Sequence, residues 1–496
     1  MTAVNRITLK EGVLKGMSEE VGFLGDVVLD GDDAAGSDGA KNKQIDIEVA
    51  SSKQKMKLIL ELTWPSLAEN ILSSLASIVD MMMVGGLGAY AIAGIGLVTQ
   101  PKFMMLAAFM AMNTGTTAII ARCKGAGHQK EANNAVWNAL IVAFFLTIIV
   151  CTGMLAILEP LVRFIAGTEL SEQAIQAGLI YLKIQVYGFP TMAFSMTINA
   201  SLRGAGNTRA AFYNTMTLNL VNIFFNYCMI GGNLGFPRWE VAGASIATVI
   251  GQFVGMLMAW RVLIFGKEYI TLDIKRPGRV EFKMIKRIIN LGLPALIEQI
   301  IMRAGNIWFT TIVTALGDLS YAAHMIAMNV LSLSFTTGMS FGVSATTLVG
   351  QCLGRKRPDL AKDYVSTIQK LSFITSVAVA FFLFFGGKPV AAMYSKDLFI
   401  ISLAASMLKI IAFVNPMSSA RFVFLASLRG AGDTLFPAIV TFFGVLLARP
   451  LLSLLMVNVF NLGLTGVWIA LSSDGVICLA LAFMRYRQGK WQHIVI

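Results

Sequence analysis

From Lys57 onward the chain alternates long apolar runs with short connections, and twelve of the runs are long enough to cross a bilayer as helices. Their approximate limits are 58–85, 91–121, 133–158, 174–202, 209–231, 241–265, 284–315, 320–350, 363–387, 398–428, 434–460 and 466–484. The connections differ in charge. One set carries Lys53, Lys55 and Lys57; Arg122, Lys124 and Lys130; Arg203 and Arg209; the basic run from Arg261 to Arg287; Arg355, Lys356, Arg357 and Lys362; Arg429; and Arg485, Arg487 and Lys490. The alternate set carries only Arg163, Arg238, Lys388 and Lys396. Short basic loops stay on the cytoplasmic side, so the asymmetry places both termini in the cytoplasm of a multi-pass cell-membrane protein with an even number of spans.

Residues 1–52 follow no such pattern. They hold ten acidic and five basic residues, with the run DGDDAAGSDGA from Asp30 to Ala40, and read as a disordered acidic cytoplasmic tail. A basic leader, apolar core and small-residue cleavage site are missing, so the stretch is not read as a signal peptide.

The apolar part is written twice. LTWPSLAEN, with Pro65 and Glu69, recurs as LGLPALIEQ, with Pro294 and Glu298, at an offset of 229 that also carries Cys123 onto Cys352 and Gly125 onto Gly354. ASLRGAGNT from Ala200 to Thr208 recurs as ASLRGAGDT from Ala426 to Thr434, eight identities in nine residues at an offset of 226. Each copy holds six spans, so both copies enter the membrane from the same side: the repeat is parallel, about an axis along the membrane normal. The expected fold is therefore an all-α polytopic membrane protein of twelve transmembrane helices in two six-helix bundles. The expected units are the N-terminal bundle 53–265, a cytoplasmic linker 266–283, the C-terminal bundle 284–488 and a short tail 489–496.

Composition agrees with that class: 56% of the 496 residues are hydrophobic and 14% charged, with a mean hydropathy of +0.69. The net charge of +12 resides in the loops that set topology, so it implies no nucleic-acid partner. Five scattered cysteines and three histidines form no zinc or disulfide framework. No phosphate loop, HExxH or GxSxG motif is present, so neither an enzyme nor a cofactor is expected. Membrane lipid and a small-molecule substrate are the expected partners of a monomer.

Chemistry concentrates in the polar residues inside the spans. The first span carries Glu69 and Asp80, and a carboxylate near the bilayer centre costs about 2.5–3.5 kcal/mol even on the lenient insertion scale. Eleven residues bring Asp80 to within about 20° of Glu69, roughly 16 Å further along the axis, with Ser66, Ser73 and Ser77 on the same side. This polar stripe is expected to face a cavity or a neighbouring helix. The repeat separates the two acids: Glu69 has Glu298 as counterpart, whereas Asp80 falls on Phe309. A group needed only for packing belongs in both halves, so Asp80 is the expected coupling residue, as a proton carrier or as a ligand of a dehydrated Na⁺. Asn219, Asn222 and Asn226 share a face of the fifth span with Thr215 close by; they supply neutral oxygens of the kind Na⁺ accepts, or interhelical hydrogen bonds. Glu69, Glu298, His324 and Arg421 form the expected substrate-binding set. Arg421 or Lys409 is the expected partner of Glu298, and Arg449 with Asp474 an expected structural ion pair. SLRGAG reads as a helix end, its arginines at the cytoplasmic surface, with Asn207 or Asp433 capping the next helix.

The doubled proline with Glu four residues on, Val79-Asp80 followed by Met83, Val84 and Gly85, the doubled SLRGAG[ND]T, Asn222-Ile223 ahead of Asn226, and GVW…D…R…GKW from Gly466 to Trp491 resemble a MATE (multidrug and toxic compound extrusion) transporter over about residues 55–492. The resemblance implies two six-helix lobes around a central cavity and a secondary antiporter that expels organic cations or hydrophobic drugs in exchange for Na⁺ or H⁺ by alternating access. It matches Asp80 to the family's coupling aspartate and Glu298, less directly, to an acidic residue of the seventh span. Asn226 departs from the pattern, since many members carry Asp there. The rival readings are a lipid-linked saccharide flippase, which needs an arginine-lined cavity, and a membrane-embedded transferase, which needs acid/base groups clustered at one membrane face.

Overall fold

A computed structural model describes residues 51–167, 170–266, 268–273, 278–494 and 496. The acidic tail expected at 1–52 lies almost entirely outside the described residues. Twelve long helices follow in order: α1 Ser52–Gly85, α2 Ala89–Gly125, α3 Gln129–Ala166, α4 Glu172–Gly204, α5 Thr208–Gly231, α6 Glu240–Phe265, α7 Phe282–Thr314, α8 Asp318–Gly354, α9 Pro358–Ala392, α10 Leu398–Gly430, α11 Leu435–Asn458 and α12 Gly463–Gln488. No strand occurs among the described residues. Ten of the helices are apolar enough to read as membrane spans by composition alone; the other two, α4 and α5, are too polar. In α5 the reason is visible, because Asn214, Asn219, Asn222 and Asn226 all point into the protein and are buried.

Local chemistry starts and bends these helices. Ser51 and Gln54 form a reciprocal capping box at the start of α1. Pro65 and Pro294, Pro160 and Pro389, and Pro190 and Pro416 are repeat-related pairs inside helices. A proline has no N–H for the carbonyl four residues back, and that orphan needs another donor in a membrane. At Pro65 the donor is Thr208 Oγ1 of α5, 3.4 Å from the Glu61 carbonyl.

Each half packs on the same plan. The second helix of the lobe lies against the fourth, the first against the fifth, and the sixth against the fourth and fifth, in α1–α6 and again in α7–α12. Between the lobes α2 meets α7 and α8, while α1 meets α8. Gly125 and Gly354 explain why these crossings demand glycine. A Cβ on Gly125 would lie 1.9 Å from the Gln351 carbonyl oxygen, and one on Gly354 2.1 Å from that of Arg122. The two positions are each other's repeat partners, so the ends of α2 and α8 cross backbone to backbone about the repeat axis.

Among the described residues, most hydrogen bonds that cross between the lobes gather at this basic end, while Asn70 Nδ2 donates to Ser340 Oγ at 3.4 Å deeper in the helices. Thr63 bonds Ser344 at 2.8 Å, Thr347 Oγ1 donates to the Arg203 carbonyl at 3.0 Å, and Gln351 Nε2 donates to that of Gly204 at 3.4 Å. Lys55 pairs with Asp363. The segment after α12 adds a strap: Arg122 Nη1 donates to the Ile494 carbonyl at 2.6 Å and Arg287 Nη2 to that of Ile496 at 2.5 Å. Trp491 anchors it, fully buried and stacked on Tyr486.

Candidate functional site: an aspartate without a counter-charge

The polar stripe of α1 faces α5, residue against residue. Thr215 Oγ1 donates to Glu69 at 3.0 Å, Asn219 Nδ2 to Ser73 Oγ at 3.3 Å and Asn226 Nδ2 to Asp80 Oδ1 at 2.6 Å. Two parallel helices in register produce this ladder, each pair 146 residues apart, so the spacing on one strip of sequence is read out by the other.

Four carboxylates lie deep within the helices, and three of them are neutralised. Glu69 accepts from Arg203 Nη1 at 3.2 Å, and Glu298 accepts from Arg429 Nη2 at 2.5 Å and from Thr441 at 3.3 Å. Asp474 pairs with Arg449, whose Nη1 also donates to Asn306 Oδ1 at 2.7 Å. The Glu–Arg–Thr clusters of the two lobes are copies: Glu69, Arg203 and Thr215 correspond to Glu298, Arg429 and Thr441. Each ties the first helix of its lobe to the fourth and fifth.

These clusters correct several expectations. Arg203 and Arg429 of the SLRGAG repeats stand in the last turns of α4 and α10, as expected of a helix end, but they turn inward as the partners of half-buried Glu69 and buried Glu298 instead of lying at the surface. Glu298 is therefore paired with Arg429 and not with Arg421 or Lys409, and neither Glu69 nor Glu298 offers the free anion expected at a substrate site. Sequence reasoning missed this because the partners lie 134 and 131 residues apart. A signal was available all the same: Glu and Arg recur together in both halves. Asn207 caps α5 as expected, accepting from Ala210 N at 3.0 Å, but Asp433 instead accepts from Arg485 at 2.8 Å.

Asp80 is the exception. It is half-buried and bonded to amides, with no arginine or lysine in an ion pair with it among the described residues. With its amide turned so that Nδ2 faces the carboxylate, Asn222 donates to Asp80 Oδ1 and Oδ2 at 2.9 and 3.1 Å, while its oxygen accepts from Thr248 N at 3.2 Å. Thr248 of α6, which orients Asn222, was not singled out in the sequence. Asn226 Oδ1 is buried without a donor, on the amide that bonds Asp80, whose nearest electrostatic partner, Lys102, stays beyond ion-pair distance. An orphaned oxygen and an uncompensated anion are what a bound cation satisfies. Asn219 does not join them; it bonds Ser73 two turns away.

The remaining candidates lie elsewhere in the C-terminal lobe. His324 is 2% exposed, packed among Phe309, Tyr321 and Trp468, and its Nδ1 has no partner. Arg421 lies over the Phe422 ring, its Nε buried and unbonded. Neither is brought to Asp80, Asn222 and Asn226.

A twelve-helix protein whose two repeated lobes meet at one end, with a half-buried carboxylate that has no ion-pair partner between helices of one lobe, is built as a membrane transporter. The MatE family model matches residues 65–228 and 294–454, one match in each lobe, and the chain belongs to that family. It is 31% identical over 438 residues to a probable multidrug resistance protein NorM of Thermotoga maritima, covering 88% of this chain and 93% of that one. A second probable NorM, of Acinetobacter baylyi, is 27% identical over 459 residues, covering 89% and 98%. The fold matches an outward-facing multidrug resistance MATE family transporter of the MOP superfamily with a TM-score of 0.83 at 22% identity, over 92% of this chain and all of that one. Members of the family are transporters, and the protein is not an enzyme.

Proposed function

We propose that the protein is a multidrug efflux antiporter of the cell membrane, with both termini cytoplasmic, in which a coupling Na⁺ or H⁺ binds at Asp80 and an organic cation or hydrophobic drug leaves in exchange. One observation carries this reading: among the described residues Asp80 has no ion-pair partner and is held by the Asn226 amide, whose Oδ1 is buried and donorless, while the other deep carboxylates each hold an arginine. An ion taken up there neutralises the charge and joins α1 to α5, so its affinity depends on how those helices sit. That dependence is what lets an ion gradient drive a conformational cycle. Asn222 and Asn226 position the carboxylate, and Thr248 positions Asn222.

The relatives' names support export of drugs, and the lobes' contact at the basic end supports a state open to the opposite, outer side. With Glu69 and Glu298 neutralised, the negative charge offered to a cationic substrate is that of Asp80 itself, which places drug and ion in competition. The flippase alternative has less support, because Arg203, Arg429 and Arg449 are each engaged by a carboxylate and do not line a cavity as free cations.

The test is efflux of a fluorescent organic cation from cells under an imposed Na⁺ gradient and then an imposed pH gradient. Efflux driven by one gradient, and lost in Asp80→Asn at equal membrane abundance, is the expected result. Gradient-driven efflux at the wild-type rate in Asp80→Asn would overturn the assignment.

A further inference from the structure

We propose that the C-terminal lobe contains a second, latent site for a monovalent cation at Asp474 and Asn306, filled permanently by the Arg449 guanidinium, so that the chain keeps one exchangeable cation site instead of two. The inference rests on the reading of Asp80 only for calling that first site exchangeable.

Up to Thr215 and Thr441 the two copies run at an offset of 226, as shown by their identical bonds to the paired glutamates. Further on the offset is 227: Met229 and Met456 each lie under the glycine of the following helix, where a Cβ added to Gly243 would stand 3.0 Å from the Met229 Cβ and one added to Gly466 2.8 Å from the Met456 Cβ. The additional residue is absorbed where α11 turns π-helical, at Phe442–Ala448. Such a stretch is an insertion that re-aims the side chains beyond it. In the shifted register Arg449 stands where the N-terminal lobe has Asn222, and Ser453 where it has Asn226.

The neighbours agree. Asn222 bonds Asp80, and the counterpart of Asp80 is Phe309, over whose ring the Arg449 guanidinium lies at 5.5 Å. Both lobes thus direct a carboxylate and an amide oxygen into the space between their first and fifth helices. In the N-terminal lobe these are Asp80 and Asn226 Oδ1, and among the described residues no side chain forms an ion pair there; Lys102 acts on Asp80 only from beyond ion-pair distance. In the C-terminal lobe they are Asp474, from α12, and Asn306 Oδ1, from α7, and both accept from Arg449. Asp474 is 1% exposed and Arg449 9%, so the pair is sealed. Ser453 makes the other difference, since its hydroxyl donates to the Arg449 carbonyl at 2.7 Å and leaves no orphaned acceptor like that of Asn226. A guanidinium tethered to α11 cannot leave the site, and its single charge matches one Na⁺ or one proton. The C-terminal lobe is therefore insensitive to the coupling ion.

The experiment counts ²²Na⁺ bound at saturation to the purified full chain at alkaline pH, where carboxylates are ionised. Wild type is expected to bind one Na⁺ per chain and Asp80→Asn none. Arg449→Met in the Asp80→Asn background is expected to regain one, and Asp474→Asn added to that pair to lose it again. A correctly folded Arg449→Met/Asp80→Asn chain that binds no more Na⁺ than the triple variant would overturn the proposal. Arg449→Asn, which installs the residue of the other lobe, repeats the test should the methionine variant not fold. A wild-type count of two also overturns it, whatever the variants do. The reading of Asp80 fails separately, if wild type and Asp80→Asn bind alike, and the Asp474-dependent count still stands or falls alone.

Discussion

The seam between α1 and α5 and the seam between α7 and α11 are two versions of one structure, and they differ at one end only. Near the basic loops both hold a Glu–Arg–Thr cluster with the same connections. Toward the other end the first seam holds Asp80 among neutral amides, and the second holds Phe309 under a self-supplied cation. What the halves share keeps helices together, because each lobe must solve the same packing problem in the same bilayer. What they do not share is where one lobe can respond to something the other cannot. Duplication thus acts as an internal control that separates structural charge from functional charge.

The comparison can be tested hardest where the halves agree. Arg429→Ala leaves Glu298, 2% exposed, without its partner and is expected to cost about 3–5 kcal/mol, seen as a lower midpoint in thermal unfolding of the purified protein. Arg203→Ala exposes the shallower Glu69 and should cost less. Equal and negligible losses would show that the clusters do not hold the seams.

A smaller effect is expected where the halves differ. Asn226→Ala removes the orphaned oxygen offered to a bound cation, a bond to a charged group of about 1.5–3 kcal/mol, and should raise the Na⁺ concentration for half-maximal Na⁺-driven efflux by roughly 10–100-fold. Its counterpart Ser453→Ala should leave that concentration unchanged. A parallel shift in both variants would erase the asymmetry.

The smallest effect concerns the contact between the lobes. Arg122 and Gln351 are repeat partners, yet Gln351 grips the Gly204 carbonyl of the opposite lobe directly while Arg122 grips the strap at Ile494. Gln351→Ala removes one neutral bond, about 0.5–1.5 kcal/mol, and should shift the fraction of closed molecules modestly in spin-label distance distributions across the basic end. No shift would mean that the glycine crossing and the remaining bonds between the lobes hold them without Gln351.

Much of this was legible along the chain. Twelve spans, the parallel repeat and the isolation of Asp80 follow from periodicity, loop charge and one internal comparison, all of which are local or repeated signals. The face shared by Asn222 and Asn226 was legible too, since helical geometry determines which residues stack. The partners of Glu69 and Glu298 were not, because a motif that ends a helix gives no sign that its arginine turns back into the bundle. Nor was the correspondence of Arg449 with Asn222: a constant offset misses it, and only the π-helical residue in α11 restores it. The sequence by itself determined which charges enter the membrane and which helices carry them. Tertiary structure alone decided which charges are cancelled there, because in a medium without water an ion's state depends on what other helices bring within hydrogen-bonding reach.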